Sequence, residues 1–254
     1  MANIILAHGI LGFGTLPFGI ESRYFNGVAA SFRKLKHDVL VPSVDLLGRL
    51  DDRSSQLRDT IERSWPTQRD LIVIAHSMGG LDIRRAVARS HALAERVRVI
   101  VAIATPHFGS PVADAVLDPS HPLRSAVPTW LLASLGRHGG AIEDLKVRDV
   151  LQDPDVARIK YFEVGCDTAS LPSTSPLFDL AKALGNHSPG GNDGVVALSS
   201  ATAPGRALAS IWPVDHLGAI GWPSGSFGIQ AISAAFSPPP LHLRRYADLL
   251  TLVS

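Results

Sequence analysis

A serine in the first half of the chain stands at the junction between a strand pattern and a helix pattern. The apolar run 71–74 leads into Ala-His-Ser-Met-Gly at 75–79, and helical spacing follows. This arrangement is typical of a nucleophile elbow, in which a sharp turn lifts a serine hydroxyl above a sheet. The turn needs small residues two before and two after the serine, here Ala75 and Gly79, and alanine in place of the usual glycine leaves enough room. The pattern therefore predicts Ser77 as a nucleophile, rather than a serine that only caps a helix.

The overall composition limits the classes of protein that fit. The 254 residues are enough for one large α/β domain, and 46% are hydrophobic, as is ordinary for a soluble globular protein. Lys and Arg number 24 against 23 Asp and Glu, so no broad basic field exists to bind a nucleic acid. No apolar stretch reaches the ~18 residues that a membrane span needs. We expect no nucleic-acid partner and no transmembrane segment.

The N-terminus and the cysteine content bear on the compartment. No Lys or Arg precedes Arg23, and His8 and Gly9 interrupt the apolar start, which does not fit a signal peptide. Cys166 is the only cysteine, so no internal disulfide can form, and a reducing compartment fits. A lone cysteine is more often a small buried apolar residue than a nucleophile. We expect a cytoplasmic protein, with a secreted form that has lost its leader as the alternative.

Strand patterns alternate with helical patterns along the chain. Apolar, strand-like runs occupy 4–7, 39–41, 71–74, 97–104 and 161–164. Helical spacing covers 24–35, 57–65 and 241–252, and Ser54 and Ser55 are expected to cap the second of these helices. The alternation predicts the α/β class, with a parallel sheet covered by helices on both faces. We expect a single domain over residues 1–254.

The segment of about 111–149 breaks this alternation. It is rich in Pro, Gly and small residues, and an apolar cluster at helical spacing comprises Val127, Trp130, Leu131 and Leu135. One interpretation is an ordinary connection packed on the core. We favour a cap, or lid, over the active site, because long insertions after a core strand are often functional.

A serine nucleophile needs a base, and the base needs an orienting acid. In a sheet of this kind the chain order is serine, acid, histidine, which excludes the three histidines before Ser77. Five others lie in a surface helix pattern, the loop after a core strand, the cap or the terminal helix, which leaves His187 and His216 as bases. We favour His216 because it lies near the end of the sheet-forming region. For the acid we favour Asp193, at the tip of the glycine-rich loop 190–196; its rivals are Asp167, Asp179 and Asp215. His107 directly follows a core strand and is expected to brace the loop there.

The developing negative charge on a substrate needs two backbone N–H groups, an oxyanion hole. The residue after the nucleophile, Met78, is expected to supply one. The glycine-rich loop 8–14 follows the first strand, and Ile10 is the expected second donor. Glycines in this loop allow the backbone to approach a substrate closely.

Taken in order, these motifs resemble the bacterial true lipases of the α/β-hydrolase superfamily, whose best-known members are secreted triacylglycerol lipases. The resemblance spans nearly the whole chain through the segments 6–13, 75–80, 104–110, 192–196 and 215–217. It implies an α/β-hydrolase fold: a mostly parallel central sheet flanked by helices, with a short helical cap. It also implies Ser77 as nucleophile, His216 as base and Asp193 as orienting acid.

Two positions depart from the secreted members of that family. They bind a structural calcium through a carboxylate two residues after the catalytic histidine, where this chain has Gly218. A hard cation needs several oxygen ligands, so we expect no calcium and no other cofactor. Those members also often carry a disulfide near the acid loop, where this chain has Ser199. Together with the missing leader and the short cap, both departures indicate an intracellular or structurally simpler relative.

The expected function is that of a serine carboxylic-ester hydrolase, a lipase or esterase that forms an acyl-enzyme. The apolar cap favours a lipid or small-molecule ester with a medium or long acyl chain, and contact with a lipid interface would be transient. Expected substrate contacts are Leu11, Phe13, Val127, Trp130, Leu131 and Leu217. A thioesterase, acyltransferase or polyester depolymerase could use the same triad, and a non-catalytic binding protein is the alternative from another class.

Overall fold

The computed structural model describes residues 1–10, 24–135, 139–148, 153–169, 177–222 and 240–253, without the side chains of residues 130, 134, 135 and 139. Two expected substrate contacts, Leu11 and Phe13, lie outside these residues, as does the side chain of Trp130.

The centre of the protein is a parallel sheet, as the alternating pattern predicts. Its six strands pair in the order β2-β1-β3-β4-β5-β6, and every pair is parallel. The strands are β1 Asn3–Ala7, β2 Asp38–Leu40, β3 Leu71–His76, β4 Val97–Ile103, β5 Lys160–Cys166 and β6 Leu208–Trp212. Parallel strands end at the same edge of the sheet, so the loops after β1, β3 and β4 come together there.

Helices connect these strands and cover the sheet. They are α1 Val28–Lys34, α2 Leu50–Ser64, α3 Met78–Arg89, α4 His91–Ala94, α5 Pro111–Leu117, α6 Thr129–Leu135, α7 Gly139–Asp144, α8 Phe178–His187 and α9 Pro240–Val253. Short 3₁₀ helices cover Pro122–Ala126 and Gly218–Ile220. None of the helices described is long and apolar enough to cross a membrane.

The two faces of the sheet bury separate apolar cores. On β3, Ile72 and Ile74 pack into one core, whereas Leu71, Val73 and Ala75 pack into the other. Successive side chains of a strand point to opposite faces, so burial on both faces requires an uninterrupted apolar run. This explains the sequence pattern that precedes the elbow.

Two helix starts differ from those predicted. Helix α2 begins at Leu50, so Ser54 and Ser55 lie inside it, where both hydroxyls donate to the Asp51 carbonyl. The N-terminus of α2 is instead capped by Asp144, whose carboxylate accepts the Leu50 N–H at 2.7 Å and pairs with Arg49 at 2.8 Å. Helix α1 begins only at Val28.

Candidate active site

The elbow serine has a strained backbone. Ser77 lies between β3 and α3 with φ 55° and ψ −134°, a region that non-glycine residues rarely adopt. Its N–H donates to the Ile103 carbonyl at 2.9 Å, and its carbonyl accepts from Thr105 Oγ1 and from the Gly80 N–H, each at 3.0 Å. These bonds to β4 and the loop after it hold the turn in place. Retention of such strain is typical of functional sites.

Positions 79 and 80 are glycines because a side chain would not fit there. A Cβ at Gly79 would lie 2.5 Å from the Ala7 carbonyl oxygen, and one at Gly80 would lie 2.0 Å from Thr105 Oγ1. Both distances are far below van der Waals contact. Helix α3 therefore starts against the ends of β1 and β4, which fixes where Ser77 stands.

Asp193 and His216 form a buried pair. Asp193 Oδ2 lies 2.6 Å from His216 Nδ1, and the His216 backbone N–H donates to the Asp193 carbonyl at 2.9 Å. The other carboxylate oxygen accepts the N–H groups of Val195 at 2.9 Å and Val196 at 2.6 Å. The acid is thus fixed by its own loop. The imidazole presents Nδ1 to the carboxylate, which leaves Nε2 as the nitrogen for proton exchange with another group.

The alternative candidates for the base and the acid make local contacts within their own helices and turns. His187 lies exposed at the end of α8 and donates from Nδ1 to the Ala183 carbonyl at 2.8 Å. Asp167 accepts the Ala169 N–H, Asp179 stands in the first turn of α8, and Asp215 accepts the Gly218 N–H at 2.7 Å. His216 and Asp193, in contrast, contact each other at 2.6 Å.

The elbow adjoins both the histidine loop and the loop after β1. The ring of His76, the residue before the serine, packs on the His216 ring with centroids 4.5 Å apart. A Cβ on Gly9 would lie 2.7 Å from Ser77 Cβ, so the loop after β1 runs directly against the serine. The structure therefore gathers the neighbourhoods of Ser77, His216 and Ile10 at one edge of the sheet.

The two expected oxyanion donors occupy suitable backbone positions. Met78 is the first residue of α3, where N–H groups have no partner within the helix and the helix dipole favours negative charge. Ile10 follows Gly9 and is half-buried against the core. His8 braces this loop: it accepts the Val44 N–H at Nε2 (3.2 Å), so Nδ1 carries the proton and donates to the Gly9 carbonyl at 2.9 Å.

A buried ion pair that the sequence analysis missed supports the same loop. Arg53 of α2 pairs with Asp82 of α3 at 2.6 Å, and both side chains are almost wholly buried. Arg53 Nη2 also donates to the His8 carbonyl at 3.0 Å. Burial raises the pKa of Asp82, and the Arg53 charge opposes that increase. Both residues lie at buried positions of their helices, so a charged residue at each position was the sequence signal for an ion pair.

A second buried network lies behind the loop after β4. His107 Nε2 lies 2.9 Å from Glu163 Oε2, and Arg84 donates to Glu163 Oε1 at 3.2 Å. Arg84 also bonds Asp155 at 2.5 Å, and Arg206 bonds the other oxygen of Asp155. His107 braces its loop as predicted.

The insertion between β4 and β5 is attached at both ends. The Ser110 N–H donates to the Leu145 carbonyl at 2.9 Å, and Ser110 Oγ donates to the Val195 carbonyl in the acid loop at 2.5 Å. Val127 and Leu131 of the insertion are buried in the same core as Leu217. Whether these residues contact a substrate stays a prediction, as does the cap itself.

Gly218 stands where the resemblance places a calcium ligand, and the absence of calcium stays a prediction. The carboxylate of Asp215 caps the turn by accepting the Gly218 N–H. Across the described ranges, no group of three or more His, Cys, Asp or Glu side chains could hold a metal ion. Cys166 is buried, as expected, and burial raises the pKa of its thiol well above the ordinary value.

Comparison with known proteins finds one matching family model and one curated relative of moderate similarity. The family model "PGAP1-like alpha/beta domain" matches residues 48–119. The chain is 26% identical over 211 residues to "Triacylglycerol lipase 2" of Saccharomyces cerevisiae, a match that covers 80% of this chain and 64% of the yeast protein. The chain thus spans less than two thirds of that relative's length.

Solved structures extend the likeness to nearly the whole chain. Mature lipase BlEst2 of Bacillus licheniformis matches with a TM-score of 0.63 at 21% identity, covering 86% of each chain. Lipase 1 from Pelosinus fermentans matches with a TM-score of 0.61 at 17% identity, covering 100% of this chain and 98% of its own. At such identities the likeness shows the fold alone.

The comparisons support the broad group that the motifs suggested and not the narrower bacterial true lipase family. The parallel sheet, the flanking helices and the structural neighbours agree with one another. The chain has the α/β-hydrolase fold.

Proposed function

We propose that this protein is a serine carboxylic-ester hydrolase in which Ser77 is the nucleophile, His216 the base and Asp193 the orienting acid. The observation that carries the proposal is the 2.6 Å contact between Asp193 and His216 beside the strained elbow serine. Asp193 contacts His216 as an orienting acid contacts a base, and His76, the residue before Ser77, packs on the His216 ring; both contacts support the proposal.

In the first half of the proposed reaction, Ser77 Oγ attacks the ester carbonyl carbon while His216 Nε2 accepts the hydroxyl proton. The Ile10 and Met78 N–H groups stabilise the negative oxygen of the tetrahedral intermediate. The Asp193 carboxylate, already held by two backbone N–H groups, stabilises the imidazolium that forms. When the intermediate collapses, His216 returns the proton to the departing alcohol, and the acyl group remains on Ser77.

In the second half, water takes the place of the alcohol. His216 accepts a proton from the water as its oxygen attacks the acyl carbon, and the same two N–H groups stabilise the new intermediate. As this intermediate collapses, His216 returns its proton to Ser77 Oγ, which restores the hydroxyl and releases the carboxylic acid.

We further propose a lipid ester substrate with a medium or long acyl chain. The apolar residues Val127, Leu131 and Leu217 share one core, and the matched yeast and bacterial proteins carry the name lipase. A chain-length series of nitrophenyl esters, soluble and emulsified, tests this part. A preference for acetate over octanoate and longer esters would contradict it.

The reaction itself is tested with Ser77→Ala on nitrophenyl esters, with the exposed Ser64→Ala at the end of α2 as the matched control. Loss of the nucleophile should lower kcat by about 10³-fold or more, whereas the control should keep wild-type turnover. A fluorophosphonate should label the wild type and the control but not Ser77→Ala. Wild-type turnover by purified, folded Ser77→Ala would refute the proposal.

A further inference from the structure

Two buried side chains outside the proposed triad, Tyr24 and His76, lie between the loop after β1 and the His216 ring. Tyr24 is 6% and His76 1% exposed. The Tyr24 hydroxyl oxygen lies 3.0 Å from the Gly9 nitrogen and 2.8 Å from His76 Nδ1. The two side chains therefore connect the strand end that precedes Ile10 to the elbow.

The direction of these hydrogen bonds follows from their donors. The Gly9 N–H can only donate, so the Tyr24 oxygen accepts from it. The Tyr24 hydroxyl proton is then free to be donated to His76 Nδ1, which places the ring proton of His76 on Nε2. Burial raises the pKa of Tyr24, so the hydroxyl keeps its proton.

The His76 ring is expected to be neutral, because its surroundings disfavour the charged form. Burial, and then the nearby His216, lower the pKa of His76 well below its ordinary value. The His216 backbone opposes this decrease. The His76 ring packs on His216 at 4.5 Å between centroids with a 48° tilt. Within the described residues, Nε2 of His76 has no partner at normal hydrogen-bond geometry, and a buried nitrogen that is poorly paired costs stability. A phenylalanine or leucine would avoid that cost, so packing alone does not explain a histidine here.

We propose that Tyr24 and His76 are positioning residues for the hydrolysis: they fix the loop that carries the Ile10 N–H relative to the His216 imidazole. The proposal rests on the proposed function. Neither side chain exchanges a proton with the substrate. Through Gly9 and the His216 ring, the pair sets the distance between the oxyanion hole and the base.

The expected effect is on the transition state. Without the Tyr24 hydroxyl, the Gly9 N–H loses its acceptor and the loop can shift. Complete removal of one oxyanion donor lowers kcat by about 10²–10³-fold in enzymes of this type, and a displaced donor should cost less, about 10- to 100-fold. Binding of the ground-state ester uses other contacts, so KM should change little.

The first test is Tyr24→Phe, with Tyr246→Phe as the matched control. Tyr246 is also fully buried, and its hydroxyl donates to the Ala219 carbonyl at 2.9 Å, so the control loses a comparable bond. We expect kcat to fall about 10- to 100-fold in Tyr24→Phe alone, with KM within about twofold. Unchanged kcat in Tyr24→Phe, or an equal loss in both variants, would overturn the inference.

The second test compares His76→Asn with His76→Leu and remains informative if Tyr24→Phe fails to fold. An asparagine amide oxygen can accept the Tyr24 hydroxyl near the Nδ1 position, whereas leucine fills more of the space but accepts nothing. We expect His76→Asn to keep the higher kcat and Tyr24→Phe/His76→Leu to lose no more than the worse single variant. Higher activity in His76→Leu would show that the ring acts by packing only. The Ser77→Ala variant separates this inference from the proposed function. If Ser77→Ala keeps activity, the proposed function is refuted. If Ser77→Ala loses activity while the Tyr24 and His76 variants keep theirs, this inference alone is refuted.

Discussion

His242 of α9 is expected to make the protein sensitive to acid. The side chain is 2% exposed and is wedged between Gly221, where a Cβ would lie 2.4 Å from Nε2, and the Tyr246 ring at 5.0 Å. Burial lowers the pKa of His242 from 6.5 to about 4; the charge of Arg245 adds to the decrease, and the Asn26 backbone opposes it.

The size of the effect follows from proton linkage. Below pH 6.5 the unfolded chain binds a proton at His242 more readily than the folded chain, so stability is lost as pH falls towards the folded pKa of about 4. At pH 4 the difference amounts to about 3 kcal/mol of unfolding free energy, since one pKa unit corresponds to about 1.4 kcal/mol. Above pH 7 the contribution disappears.

Urea unfolding of His242→Phe at a series of pH values measures this directly. Between pH 7 and pH 4 the variant should lose about 3 kcal/mol less than the wild type, even if phenylalanine changes the stability at pH 7. His91→Gln, at an exposed position of α4, is the matched control and should follow the wild type. Parallel stability curves for His242→Phe and the wild type would refute the reasoning.

Three further substitutions test how the elbow and its supports are held. Gly80→Ala should destabilise the fold by about 1–3 kcal/mol and abolish ester turnover, because its Cβ would overlap Thr105 Oγ1. In thermal unfolding, the control Gly185→Ala in α8 should be neutral or stabilising, because its Cβ would lie 3.7 Å from the nearest atom. Arg53→Met or Asp82→Leu alone should cost about 3–5 kcal/mol by leaving a buried charge unpaired, and the double variant should cost clearly less than their sum in urea titrations; additive losses would contradict the pairing. Asp144→Ala should lower stability by about 1 kcal/mol through loss of the α2 cap, and Asp144→Asn should restore most of it; equal losses would show that the cap bond contributes nothing.

The parts that the sequence predicts are those set by local sterics and strand burial. The elbow is readable because Gly79 and Gly80 have no room for a Cβ, and β3 is readable because both of its faces are covered. Chain order and loop position favour Asp193 and His216 over their rivals, and the structure places these two side chains 2.6 Å apart. Their catalytic roles stay a prediction.

The parts that escape prediction depend on partners distant in sequence. The start of α2 is displaced from its serines because its cap comes from Asp144, 94 residues away from Leu50. In the sequence, Arg53 has the character of a surface residue; in the structure it is buried because Asp82 of α3 neutralises its charge. Strand β6 lies at the sheet edge and exposes alternate side chains, so it lacks the continuous apolar run that marks β3.

The most direct measurement is a crystal structure of the protein inactivated by an alkyl phosphonate. The account predicts a covalent bond from phosphorus to Ser77 Oγ, His216 Nε2 within hydrogen-bond distance of that oxygen, and the phosphonyl oxygen about 2.7–3.1 Å from the Ile10 and Met78 nitrogens. A phosphonate attached to another residue, or His216 turned away from the adduct while still bonded to Asp193, would contradict it.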